Sequence, residues 1–331
     1  MRPDKIYFEP EVLNFPLGKQ LKEQFKDIEW NSIENHNNIE ELRKKDNAEF
    51  AKMKQLLIIG IRKTHKYTEN YKVSDYLIPY TSSGCTAMCL YCYLVCNYNK
   101  CSYLRLFVNR EQMMDRLIRF SNKSEKELTF EIGSNSDLVL ENTITGNLPW
   151  TIENFLKNKK GKLTFPTKFN MVEPLLPLSH QGRVIFRMSV NPQYIISNAE
   201  VGTASLKHRI EAINKMVEAD YKVGILIAPV IMLDNWKELY LELLDQLKDG
   251  LSEKMQKQMF IEIIFMTYSF IHRKINNEAF PEAMELYDKE RMKGRGMGKY
   301  CYRTECREEG EEWLLNEIDR RFGKEKILYF S

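Results

Sequence analysis

The stretch Cys85-Thr-Ala-Met-Cys89-Leu-Tyr-Cys92 decides how the rest of the chain is read. Its spacing is C-x3-C-x2-C, and cysteines this close together hold iron–sulfur clusters. Three thiolates fill three corners of a 4Fe-4S cubane and leave the fourth iron without a protein ligand, an open position where another molecule can bind. Two other readings stay open on spacing alone. A structural zinc site would recruit a fourth cysteine, Cys96 or Cys101. A ferredoxin-type run fits less well, because the first gap is three residues and Asn97 stands where that run carries proline.

The remaining cysteines, Cys301 and Cys306, lie far down the chain. They read as small buried apolar groups or as a local metal or redox pair. Dense thiols between 85 and 101 point to metal in a reducing compartment.

The chain has 331 residues, 43% hydrophobic and 29% charged, with a formal net charge of +3. That length suits one large barrel-like domain or two smaller ones. So slight a basic excess excludes a protein that coats DNA by charge alone. It leaves local patches such as Arg43–Lys45, Arg62–Lys66 and Lys293–Lys299 as points of contact. No apolar run approaches the roughly 18–20 residues of a membrane helix. The N-terminal MRPDKIYFEP lacks the apolar core of a secretion signal. A cytoplasmic protein with no membrane association is expected.

Working outward from the cysteines, apolar runs alternate with helical patterns. Strands are expected at Tyr76–Tyr80, Leu104–Val108, Leu128–Ile132, Lys162–Pro166, Val184–Val190, Lys222–Ile231 and Phe260–Phe265, with helices at Gln112–Phe120, Trp150–Lys157, Ser205–Ala219 and Asn235–Leu247. This order predicts an α/β fold, a parallel sheet curled into a partial barrel, with functional groups at the C-terminal ends of strands. Three regions are expected: a peripheral region at 1–75, the partial barrel at 76–290, and a basic loop, helix and strand at 291–331. The first should hold helices near Gly18–Phe25 and Ile39–Leu57, then a strand at Leu57–Ile61.

The sequence C-x3-C-x-aromatic-C after the first strand of a β/α barrel resembles the signature of the radical S-adenosylmethionine (SAM) superfamily. Nearly the whole chain further resembles the spore photoproduct lyase family, in FPLGKQL at 15–21, CLYCYL at 89–94, YLRLFVN at 103–109, FEIGSNSDLV at 130–139, FRMSVNPQYII at 186–196, GTASLKHRIEA at 202–212 and GMGKY at 296–300. The resemblance implies a (β/α)6-type partial barrel and SAM bound on the open iron. It implies repair of damaged DNA, with 5-thyminyl-5,6-dihydrothymine reverted to two thymines, and a reductant such as flavodoxin or ferredoxin. A monomer is expected.

Residue by residue, the resemblance makes Cys85, Cys89 and Cys92 the cluster ligands, and Tyr91 and Tyr93 a hydrogen-atom relay. Read without it, the two tyrosines simply pack around the cluster. Ser136, Asp137, Lys168, Ser189 and Ala228 match SAM-contacting positions, and Arg295 matches a contact to the lesion. One departure stands out. The family carries its hydrogen-donor cysteine where this chain has Ser134, and a serine O–H bond is too strong to serve. Two expectations follow: a lyase in which Cys96 replaces the donor, or a relative acting on another substrate. A second departure is the apolar run IIFMTYSFI at 263–271, after which His272 and Arg273 follow.

Overall fold

The computed structural model describes residues 2–97 and 103–331, without the side chains at 96 and 97. The chain divides into two compact units that interleave in sequence. The first holds Met1–Thr86, Leu94–Thr167 and Met171–Ile185; the second holds Ala87–Tyr93, Lys168–Asn170 and Phe186–Ser331.

In the first unit, a five-stranded sheet runs in the order Trp30–Ser32, Lys5–Phe8, Leu56–Gly60, Leu104–Phe107, Ser82–Ser83. All neighbours are parallel except the last pair. Leu57, Ile58 and Ile59 are fully buried in succession, as expected of a strand covered on both faces. Leu57 and Ile59 join Ile6, Val12, Leu17, Leu21, Leu104 and Leu106 in one core cluster. The same unit pairs Tyr76–Leu77, Thr129–Glu131 and Lys162–Thr167 in parallel. The predicted strand at 76–80 stops at Leu77, since Pro79 has no N–H to extend the ladder.

The second unit carries Val184–Val190 from Phe186 on, then Lys222–Val230, Phe260–Phe265 and Ile327–Phe330 as neighbouring strands. The last three pair in parallel. A Cβ on Gly224 would sit 2.4 Å from the Phe260 ring, so a side chain at that register pair would require the ring to move. The helices Leu206–Glu218 and Trp236–Gly250 pack in this unit; of the apolar stripe read at Trp236, Leu239, Tyr240, Leu243, Leu244 and Leu247, all are buried except Leu239, which is half-buried.

Two expectations are corrected. The predicted helix over 39–57 is only short turns, Glu40–Arg43, Asn47–Glu49 and Phe50–Met53. Lys44-Lys45-Asp46-Asn47 interrupts any continuous apolar face, and Asp and Asn favour turns over helix interiors. The predicted basic loop at 293–299 is a β-hairpin, Met292–Gly296 against Lys299–Tyr302. Its turn needs left-handed backbone at Gly296, Met297 and Gly298 (φ 86°, 52° and 70°), which the two glycines adopt without strain.

Candidate active site

The short strand Met88–Cys89 pairs antiparallel with Glu200–Val201, placing Glu200 opposite Cys89. Glu200 is 1% exposed. Its Oε1 accepts from Lys168 Nζ at 2.9 Å, from Asn191 Nδ2 at 2.8 Å and from the Tyr91 hydroxyl. Its Oε2 accepts from Arg209 Nη2 at 2.6 Å. Burial alone would raise the carboxyl's pKa. The Lys168 and Arg209 charges and the bonds from Tyr91 and Asn191 outweigh it and hold the group well below the usual carboxylate range.

Lys168 reaches further, to Ser189 Oγ at 2.8 Å and the Ala228 carbonyl at 3.0 Å, and Ser189 Oγ also donates to that carbonyl at 3.0 Å. Three residues predicted from separate segments, Lys168, Ser189 and Ala228, therefore meet in one cluster. The ammonium lies 5.5 Å from the centre of the Tyr91 ring. Tyr91 is pushed well above the ordinary phenol value, chiefly by burial and then by the Glu200 charge, so it keeps its hydrogen at neutral pH. Tyr93 is instead 52% exposed.

The helix Phe270–Ala279 grips the cysteine loop from the same unit. His272 Nε2 lies 2.8 Å from the Cys92 carbonyl and its Nδ1 lies 3.0 Å from Ser269 Oγ. A carbonyl only accepts, so Nε2 carries the hydrogen. Burial lowers the imidazole's pKa and favours this neutral form. One turn on, Asn276 Nδ2 donates to the Leu90 carbonyl at 2.7 Å.

Ser136 and Asp137 belong to the first unit. Ser82 Oγ donates to the buried Glu141 at 2.5 Å and lies 2.7 Å from Ser136 Oγ, whose hydroxyl can donate to it. Asp137 caps the helix Leu138–Thr145, accepting from the Val139 and Leu140 amides at 3.1 and 3.2 Å and from Thr167 Oγ1 at 2.8 Å. Its carboxylate thus has a structural task whatever else it contacts.

Cys85, Cys89 and Cys92 are half-buried and in no disulfide, the donor chemistry a three-cysteine cluster requires. Among the described residues no three His, Cys, Asp or Glu side chains already converge on one point, so the reading of the loop as a cluster site rests on its spacing and its thiol donors. Cys301 and Cys306 are also half-buried and free. Cys101 and the side chain of Cys96 lie outside the described residues.

Elsewhere in the second unit is a cavity of about 820 Å³ lined by Ile231–Asn235, Met284–Arg291, Tyr194, Arg273 and Tyr302. Its two arginines are already paired, Arg291 with Asp234 at 2.8 Å and Asp288 at 2.9 Å, Arg273 with Glu285 at 3.0 Å. Neither Arg295, which is exposed on the hairpin, nor the Lys168 cluster lines it.

A family model described as spore photoproduct lyase matches residues 1–331. The chain belongs to the spore photoproduct lyase family. The spore photoproduct lyase of Bacillus subtilis (strain 168) is 33% identical over 337 residues, covering 99% of this chain and 98% of that protein. That of Clostridium acetobutylicum is 31% identical over 98% of each. Among solved structures, a spore photoproduct lyase complexed with dinucleoside spore photoproduct superposes with a TM-score of 0.91, at 30% identity over 99% of both chains. A mutant with bound AdoMet and the same dinucleoside gives the same figures. The spore photoproduct lyase fold, an α/β partial barrel of the radical SAM type, is therefore this chain's fold.

Sequence reasoning missed Glu200, Asn191 and Arg209. One signal was readable: Glu200 is the sole charged residue between Arg187 and Lys207. A lone acid in a neutral stretch has reason to be buried and paired.

Proposed function

We propose that this chain is a radical SAM lyase that reverts 5-thyminyl-5,6-dihydrothymine in DNA to two thymines. The observation that carries this reading is the cluster of Lys168, Ser189 and Tyr91 around the buried Glu200 opposite Cys89, in a chain that matches the family end to end. The relative acting on another substrate is not favoured, since the match runs through every segment.

Cys85, Cys89 and Cys92 would hold the 4Fe-4S cluster, and Lys168 and Ser189 would bind SAM, with Ser136, Asp137 and Ala228 beside it. When bound, these groups supply a 5′-deoxyadenosyl radical through one-electron cleavage of SAM. The chain's task is then to orient and to return hydrogen. Lys168, fixed by three acceptors, presents its charge with little freedom left to lose on binding. Lys168→Ala and Ser189→Ala should weaken SAM binding roughly 10–100-fold, the range for a lost hydrogen bond to a charged group. The iron content should stay unchanged, and equilibrium binding to the reconstituted protein measures the effect. Wild-type affinity in both variants would remove these residues from the SAM site.

DNA contact falls to the hairpin. Lys293, Arg295 and Lys299 are exposed on it, and Met297, at its tip, is 98% exposed. An apolar side chain among cations suits prying a damaged base from the stack, because the cations meet phosphates while the methionine fills the gap.

Hydrogen return begins at the product thymine radical. Cys96, the thiol nearest Tyr93 in sequence outside the cluster motif, gives its S–H hydrogen atom to that radical and becomes a thiyl. Tyr93 then gives a hydrogen atom to the thiyl and takes one from Tyr91, and Tyr91 would be restored by a hydrogen atom from 5′-deoxyadenosine, which returns the radical toward the SAM side. Anaerobic incubation of reconstituted protein with SAM, dithionite and the dinucleoside lesion should release thymine. No thymine, with SAM cleaved normally, would overturn the lyase reading. Cys96→Ala should lower thymine yield and leave trapped radical adducts, whereas Ser134→Cys should repair faster and more cleanly. A normal, adduct-free yield from Cys96→Ala would rule Cys96 out.

A further inference from the structure

Lys54 is 1% exposed, although lysine is rarely kept from water so completely. It follows the turn Phe50–Met53 and precedes the strand Leu56–Gly60, and Lys52 two residues earlier is exposed in the ordinary way. The Lys54 ammonium lies 5.3 Å from the Phe50 ring centre. It donates to the backbone carbonyl of Cys85 at 2.7 Å. The fold therefore withdraws a cation from solvent and sets it on the backbone of the first cluster cysteine.

We propose that Lys54 is a positioning residue that poises the iron–sulfur cluster, its charge easing reduction and its hydrogen bond fixing the Cys85 backbone. The inference rests on the cluster assignment above. Three thiolates make the ligand set anionic, and reduction adds one more negative charge. A neighbouring cation stabilises the reduced form more than the oxidised one, and in a dry site the attraction is much stronger than in water. Net charge, hydrogen bonding and solvent exposure are the protein's means of setting a cluster potential. Lys54 supplies a charge withdrawn from solvent and a hydrogen bond to the backbone of the first cluster cysteine.

The test is an electron paramagnetic resonance redox titration of the reconstituted full chain, without SAM or DNA. Lys54→Met removes charge and donor. Lys54→Gln keeps a donor for the Cys85 carbonyl but removes the charge, and Lys54→Arg keeps both. At the wild-type midpoint, Lys54→Gln and Lys54→Met should show about a tenfold lower ratio of reduced to oxidised cluster, a downward shift of about 59 mV for one electron. Lys54→Arg should titrate close to wild type. Lys54→Met should also lose iron faster to a chelator than Lys54→Gln does. If Lys54→Met does not load a cluster, the Gln and Arg variants still decide. A Gln midpoint equal to wild type overturns the proposal while leaving the lyase reading intact. A wild-type chain that takes up no iron would instead overturn the cluster assignment itself.

Discussion

Glu200→Gln is expected to destabilise the protein by about 3–5 kcal/mol, the usual cost of removing one member of a buried ion pair. The wild-type carboxylate receives Lys168, Asn191, Tyr91 and Arg209 at once. Glutamine is the same size but carries no charge. It leaves two cations facing each other, with Arg209 fully buried, and its amide nitrogen can only donate where the wild-type oxygen accepts. Chemical unfolding of the metal-free chain at neutral pH, followed by circular dichroism, measures the difference. A variant within about 0.5 kcal/mol of wild type, as for an ordinary surface change, would mean the cluster contributes no net stability.

The same substitution should alter the pH dependence. Glu200 is held well below its unfolded value, so folding prefers the ionised form. Its contribution is fully present above the ordinary glutamate pKa of about 4.3. It is lost as pH falls below that value toward the depressed folded one. Below about pH 4 the wild type should therefore lose more stability with falling pH than Glu200→Gln does. Other depressed carboxyls such as Glu9 and Asp288 contribute to both proteins and cancel in the comparison.

Replacing any one of Cys85, Cys89 or Cys92 by alanine should abolish the cluster, taking iron from about four per chain to near zero. Two thiolates cannot hold a cubane that already has one iron without a protein ligand. Cys301→Ala and Cys306→Ala should retain full iron, since both thiols stand apart in sequence from the cysteine loop. Iron and sulfide analysis of anaerobically reconstituted protein reads the result directly. A wild-type chain with one tightly held zinc and no iron would restore the zinc reading. With the cluster gone, SAM cleavage and thymine release should both fall to background.

Much of this was legible in the sequence because it rests on local patterns. C-x3-C-x2-C is a local constraint, and apolar runs alternating with helical stripes report local periodicity. Lys222–Val230 and Trp236–Gly250 therefore appear nearly where expected. The misread segments fail for local reasons too. The charged stretch at 39–57 has enough helix formers to suggest a long helix, yet no unbroken face to bury. The apolar run at 263–271 also hid the helix Phe270–Ala279, whose first residues Phe270 and Ile271 are exposed and so give no buried helical face to read.

The sequence by itself determined the fold class, through periodicity and resemblance along the full chain, and its spacing singled out three candidate cluster cysteines with two tyrosines beside them. Only the tertiary structure decided what holds those residues. Glu200 opposite Cys89, His272 on the Cys92 carbonyl and Lys54 on the Cys85 carbonyl join positions 111, 180 and 31 residues apart in the chain. No local pattern encodes such a pairing. A buried charge or ring nitrogen finds its partner only when strand register and helix packing bring the two together, and desolvation then makes the choice of partner costly to change.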